Sequence, residues 1–217
     1  MSITFGIYDF FSYTVPGFLY IFTINALLGI IKLPHFTVGN ISLDIGFALI
    51  GVVVAYVVGG LLDTFAYKWY LLFYRNRIEH QALDQMKKNY PSLNIGFDVK
   101  DRRLMYSFIK HNNLELAENI DKFKALNIMF HNISFALLLF SLVQLVKLTL
   151  DGFSVATLLT LIAAAIFSQV ALRRSALFNF WYWSGNFEQA LHYGKNISEM
   201  FAQYDQAEDK IRTRAKK

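Results

Sequence analysis

Four apolar runs, at 15–31, 41–62, 126–150 and 153–172, constrain this chain more than anything else in its sequence. A helix needs about 20 apolar residues to cross the hydrocarbon core of a bilayer. The second run has 22 residues and as a helix measures about 33 Å. Lipid offers no partner to an exposed backbone N–H or C=O, so segments of this kind span as helices. Composition points the same way. Of the 217 residues, 55% are hydrophobic, the mean hydropathy is +0.34, and the apolar residues are clustered, unlike those of a soluble domain. The expected fold class is all-α, with four transmembrane helices continuous with a cytoplasmic helical bundle. The chain divides into an interfacial segment with a first transmembrane hairpin (1–62), a cytoplasmic helical region (63–125), a second transmembrane hairpin (126–172) and a cytoplasmic C-terminal helical tail (173–217).

Charge sets the orientation. Of 21 basic residues, eleven lie between the second and third runs and eight follow the fourth, leaving only Lys32 and Lys147 for the two short connections. Cytoplasmic loops carry the excess of Lys and Arg. Both termini are therefore expected in the cytoplasm, in a multi-pass protein of a bacterial inner membrane. The net charge of +5 is read first as this bias, ahead of nucleic acid or anionic lipid. No cysteine is present, which excludes disulfides and a thiol nucleophile. Residues 1–14 hold no Lys or Arg before the first run, so a cleavable leader of the usual form is not expected.

Within the runs, small and polar residues recur at helical spacing. Residues 1–14 read as an aromatic interfacial segment, with Pro16-Gly17 opening the first span and Asn25 near its middle as a hydrogen-bonding amide. Gly51, Ala55 and Gly59 recur every four residues and give a face for close helix approach. The third run carries Asn127, His131, Ser134, Ser141 and Gln144 along one stripe, and the fourth carries Ser154, Thr157, Thr160, Ala164 and Ser168. Two readings of these stripes stand: helices joined by hydrogen bonds, or the lining of a water path in an oligomer. His131, near Asn127 and Asn132, has two readings, a pH or ligand switch and a side chain that only hydrogen-bonds a neighbouring helix. No Asp, Glu, Lys or Arg sits well inside a run, which argues against a proton relay.

Residues 64–89 contain no Pro or Gly, so the second span is expected to run on as a stalk to Asn89, with Tyr67, Trp69, Tyr70 and Tyr74 at the interface. Asp98 with Asp101, and Asn112 with Glu115, look like helix starts, the second leading straight into the third span. The aromatics Phe178, Phe180, Trp181, Tyr182 and Trp183 read either as an interface belt or as a cytoplasmic core.

The stalk holds Arg75-Asn76-Arg77-Ile78-Glu79-His80. This run resembles the Arg-polar-x-x-x-His motif of HEPN-type ribonucleases, which are all-helical and usually dimeric. The resemblance implies a metal-independent cleavage of RNA, with His80 as acid and base, Arg75 on the phosphoryl group and Asn76 orienting. The competing reading is a juxtamembrane helix whose arginines meet lipid headgroups. Lys87-Lys88, Arg102-Arg103 and Arg173-Arg174 are candidate basic sites for a nucleic acid or nucleotide. No metal-ligand spacing, phosphate loop or cofactor signature occurs, and no metal or cofactor is expected.

Four spans, the opening Tyr-Asp-Phe-Phe-Ser-Tyr before Pro-Gly, and the Arg-Asn-x-x-x-His run together resemble small bacterial membrane proteins that accompany antiviral defence systems. That resemblance implies a homo-oligomeric effector or sensor. Its partners would be the lipid bilayer, copies of itself, and a cytoplasmic protein, nucleic acid or nucleotide, with membrane perturbation or pore opening as output. A membrane-anchored ribonuclease is the alternative.

Overall fold

A computed structural model of the chain describes residues 4–34, 45–74, 77–90 and 102–192. All regular structure among them is helical: α1 (Thr4–Ile30), α2 (Ile45–Tyr74), α3 (Arg77–Asn89), α4 (Arg102–Asn112), α5 (Leu114–Leu150) and α6 (Val155–His192). Of these, α1, α2, α5 and α6 each contain a stretch long and apolar enough to cross a membrane. The chain divides into two compact units, Met1–Asn76 with Asp121–Asn179, and Arg77–Ile120 with Phe180–Lys217.

In the first unit, α1 and α2 approach to backbone contact. A Cβ on Gly17 would overlap the Ala55 carbonyl, and a Cβ on Gly59 would overlap the Tyr13 carbonyl. Ala55 is fully buried between them. A Cβ on Gly51, the third member of the small-residue face, would meet nothing within 4 Å. Beside this seam Tyr56 stacks on Phe10 and takes Tyr13 edge-on. Helices α5 and α6 form the second hairpin, turning at Gly152, whose φ of +88° lies in the left-handed region that glycine occupies without strain. Large apolar side chains face outward: Leu61, Phe153 and Leu159 are 70%, 76% and 61% exposed. That is the surface lipid requires and water would penalise.

Two local expectations change. Pro16 does not open the first span; it lies inside α1, which starts at Thr4 and takes the aromatic segment into the same helix. A proline is tolerated in a span because neighbouring helices and hydroxyls satisfy freed backbone groups. Two residues before Pro16, the Thr14 hydroxyl donates to the Phe10 carbonyl at 2.7 Å, one turn back in the same helix. Along the expected stalk, α2 is described up to Tyr74 and α3 from Arg77, and Arg75 and Asn76 lie outside the described residues. The two helices belong to different units, and α3 buries its own apolar face of Ile78, Ala82, Leu83 and Met86. Finally, α5 is capped by Asn113, whose Oδ1 accepts the Leu116 N–H at 3.0 Å, because Asn112 is still the last residue of α4. Asp98 and Asp101 lie outside the described residues.

In the second unit the core is large and apolar. Met86, Met105 and Ile109 are buried, together with Trp183 and Phe187, whose rings stack at 5.6 Å. Of the aromatics near the foot of α6, Tyr182 and Trp183 are buried, Trp181 is exposed, and Phe178 packs on Phe130 in the first unit.

Candidate functional site

The first unit holds a chain of buried polar groups that touches all four of its helices. At its centre is Asp63, on α2. Asp63 Oδ1 accepts from Asn132 Nδ2 at 2.7 Å and from His131 Nε2 at 3.0 Å, both on α5. The Tyr20 hydroxyl, from α1, lies 3.0 Å from the Asn132 carbonyl and 3.2 Å from its Oδ1. Asn132 therefore points its oxygen at a hydroxyl and its NH₂ at a carboxylate, the only amide orientation these two partners allow. Tyr20, His131 and Asn132 are 1%, 2% and 0% exposed, while the Asp63 side chain keeps 29%. The imidazole lies against Tyr67 and Tyr70, with ring centroids at 6.0 and 5.9 Å. Its Nδ1 is buried with no hydrogen-bond partner among the described residues.

Further contacts tie in α6. Trp69 Nε1 donates to Ser134 Oγ at 3.2 Å, and Ser168 Oγ donates to the Ser134 carbonyl at 2.8 Å. Ser175 Oγ donates to Asn127 Oδ1 at 2.6 Å, and Asn179 Nδ2 donates to the Tyr70 hydroxyl at 2.9 Å. Ser134 meets Ser168 and Asn127 meets Ser175, two turns apart on both helices. This antiparallel register sets Arg173 and Arg174 opposite Met129 and Ile128, less than one turn from His131. Residues 155–172 precede that arginine pair and rise about 27 Å as a helix, close to the hydrocarbon thickness. With these helices spanning a bilayer, the polar cluster would lie near one of its faces, at the level where charged side chains emerge.

Of the residues expected from the sequence, Asn127, His131 and Ser134 bond to other helices of the same chain. Ser141 and Gln144 are buried, the Ser141 hydroxyl donating to its own Leu138 carbonyl at 2.7 Å. Thr157 is buried, Thr160 is exposed and bonds to its own Ala156 carbonyl, and Asn25 is half-buried. His80 is exposed on α3, whereas Arg75 and Asn76 lie outside the described residues. Lys87 and Lys88 are exposed in the last turn of α3, and Arg173 and Arg174 are exposed on α6, in a different unit. The side chains of Arg102 and Arg103 lie outside the described residues. Among the described residues no three His, Asp or Glu side chains are grouped to hold a metal ion.

The sequence reading missed Asp63, Asn132, Tyr20, Trp69, Ser175 and Asn179. Asp63 had a signal: it is the next step of the four-residue spacing Gly51, Ala55, Gly59 and so continues the inward face of α2. It was read as the first residue of a polar segment, when it is an acid bonded inside the bundle. No protein-family model, curated protein or solved structure matches this chain.

Proposed function

We propose that the chain is a homo-oligomeric effector or sensor of a bacterial inner membrane, acting in antiviral defence. Its helices outside the bilayer bind a partner protein, nucleic acid or nucleotide and pass that event to the membrane bundle. One observation supports this best. Helix α5 buries Ala117 and Ile120 in the second unit and carries Asn127, His131, Asn132 and Ser134 into the polar network of the first. Helix α6 likewise holds Ser168 and Ser175 in the first unit and Trp183 and Phe187 in the second. A helix is stiff along its axis, and switching proteins use helix shifts of about 1–2 Å. Hydrogen bonds are directional and weaken steeply with misalignment. A small displacement of α5 or α6 would therefore break the network and loosen the bundle, perturbing the membrane or opening a path in the oligomer.

The positive-inside bias supports a cytoplasmic position for both termini and for the second unit. The assignment to defence rests on the resemblance of the span pattern and opening segment to defence-associated membrane proteins. The test is a voltage-sensitive dye in bacteria that express the chain and are challenged with lytic phages. Wild-type cells should lose potential on infection by at least one phage, and Asn127→Leu, which removes a bond between α5 and α6, should blunt that loss. Unchanged potential in infected wild-type cells across the phage panel overturns the proposal.

A further inference from the structure

The geometry points to a proton-binding site formed by His131 and Asp63, which latches α2 to α5 while the proton is held and releases them when it leaves. This rests on reading the bundle as the element that moves, and it names what regulates it.

The Nε2–H of His131 is committed to Asp63 Oδ1. The second ring nitrogen, Nδ1, is buried without a partner and is the atom that gains or loses the proton. With the proton on, the ring is a cation. It then pairs with the Asp63 carboxylate and lies against Tyr67 and Tyr70, and aromatic faces within about 6 Å attract a cation. With the proton off, the ring keeps Nε2–H, and Asp63 becomes a largely buried carboxylate supported only by neutral donors. A carboxylate in that position without a counter-charge is strongly disfavoured, so it is drawn toward water and away from α5.

Among the described residues, groups face the pair from each helix of the first unit. From α2 these are Asp63, Tyr67 and Tyr70, and from α5 Asn132. Tyr20 of α1 reaches the pair through Asn132, and Asn179 of α6 holds the Tyr70 hydroxyl. Lys68, Lys124, Arg173 and Arg174 are exposed. The counter-charge bonded to Asp63 among the described residues is thus His131, which carries charge only while protonated. The arginine level less than one turn away and the 29% exposure of Asp63 give the proton a short route to water.

The chain has no cysteine, so spin labels can be placed cleanly. Full-length protein carrying Lys68→Cys and Lys124→Cys is labelled and reconstituted in vesicles of phosphatidylethanolamine and phosphatidylglycerol. The distance between α2 and α5 is read by double electron–electron resonance at about pH 5 and about pH 8. The expected result is a narrow distribution at low pH that lengthens by about 2 Å or more at high pH. In His131→Gln the distribution should no longer respond to pH. An identical distribution at both pH values, or an unaltered shift in His131→Gln, overturns the proposal. If His131→Gln does not insert, Asp63→Asn takes its place with the same expectation. In parallel, ring-nitrogen NMR of histidine-labelled wild type must show His131 changing protonation over that range, and an invariant signal sinks the idea. A pH-insensitive distance beside an intact phage-triggered depolarisation removes the proton latch alone; a pH-sensitive distance with no depolarisation removes the defence reading alone.

Discussion

The two units solve the packing problem in opposite ways. In the first, helices meet through Gly17, Ala55 and Gly59 and through hydrogen bonds accepted by Asp63 and donated by Ser168 and Ser175, while Leu61 and Phe153 face outward. In the second, Trp183, Phe187, Met86 and Met105 are inside, and Lys87, Lys88 and His80 are outside. The contrast is the one that a lipid setting for the first unit and an aqueous setting for the second would produce. Lipid tails are as apolar as leucine, so helices in a bilayer gain little by hiding apolar side chains and associate through close contact and polar pairs. In water, burial of large side chains dominates.

The comparison breaks most visibly at the α1–α2 seam. Gly59→Leu drives a side chain into the Tyr13 carbonyl, and backbone cannot retreat as a side-chain tip can. The expected cost exceeds the ~1–3 kcal/mol of ordinary overpacking. The variant should fail to form the hairpin, read as loss of a Tyr13–Gly59 region crosslink and of a monodisperse peak in detergent. A wild-type profile would mean that the seam is not the contact holding α1.

A pair of truncations sharpens the contrast. Trp183→Ala empties the second unit's core and should cost about 3–5 kcal/mol, raising amide hydrogen exchange in α3. Phe153→Ala removes a large ring that is 76% exposed in the first unit and should leave exchange throughout unchanged. Equal effects would mean that both units sit in the same solvent. A smaller change is expected at the polar seam. Ser175→Ala deletes one hydrogen bond to Asn127. Pairs of this kind in a bilayer average about 0.6 kcal/mol, measurable as a small shift in thermal unfolding in detergent.

The spans were legible in the sequence because apolar length is a local property; every span assigned from composition contains a described helix. Gly59 and Ala55 were legible as a close-contact face for the same reason, since a four-residue spacing needs no partner to be seen. The polar network was only half legible. The stripe of Asn127, His131 and Ser134 could be read along α5, but whether it faced water or another helix depended on residues 34 to 68 positions away, Ser168, Ser175 and Asp63. Asp63 was hidden by its own chemistry: an acid at the end of an apolar run reads as the start of the aqueous segment. Asn132 and Tyr20 lacked any pattern because each acts once, at a single contact between helices. Pro16 misled in the other direction, a helix breaker in water that a membrane helix contains.

The smallest expected effect lies at His80, and it tests the second unit's surface. His80 is exposed on α3, on the side away from the buried Ile78, Ala82, Leu83 and Met86. Replacing it with Ala removes no core contact, so stability should change by less than about 0.5 kcal/mol, as at other surface positions. Its chemical role is a separate question that the same variant answers. A His acting as acid and base in RNA cleavage contributes about 10²–10⁴-fold, so a catalytic His80 would lose nearly all activity on substitution. The expectation here is equal behaviour of wild type and His80→Ala on single-stranded RNA, with no cleavage above background by either. Cleavage by the wild type that disappears in the variant would make α3 a reactive surface, and the second unit would then be an enzyme attached to the bundle instead of its sensor.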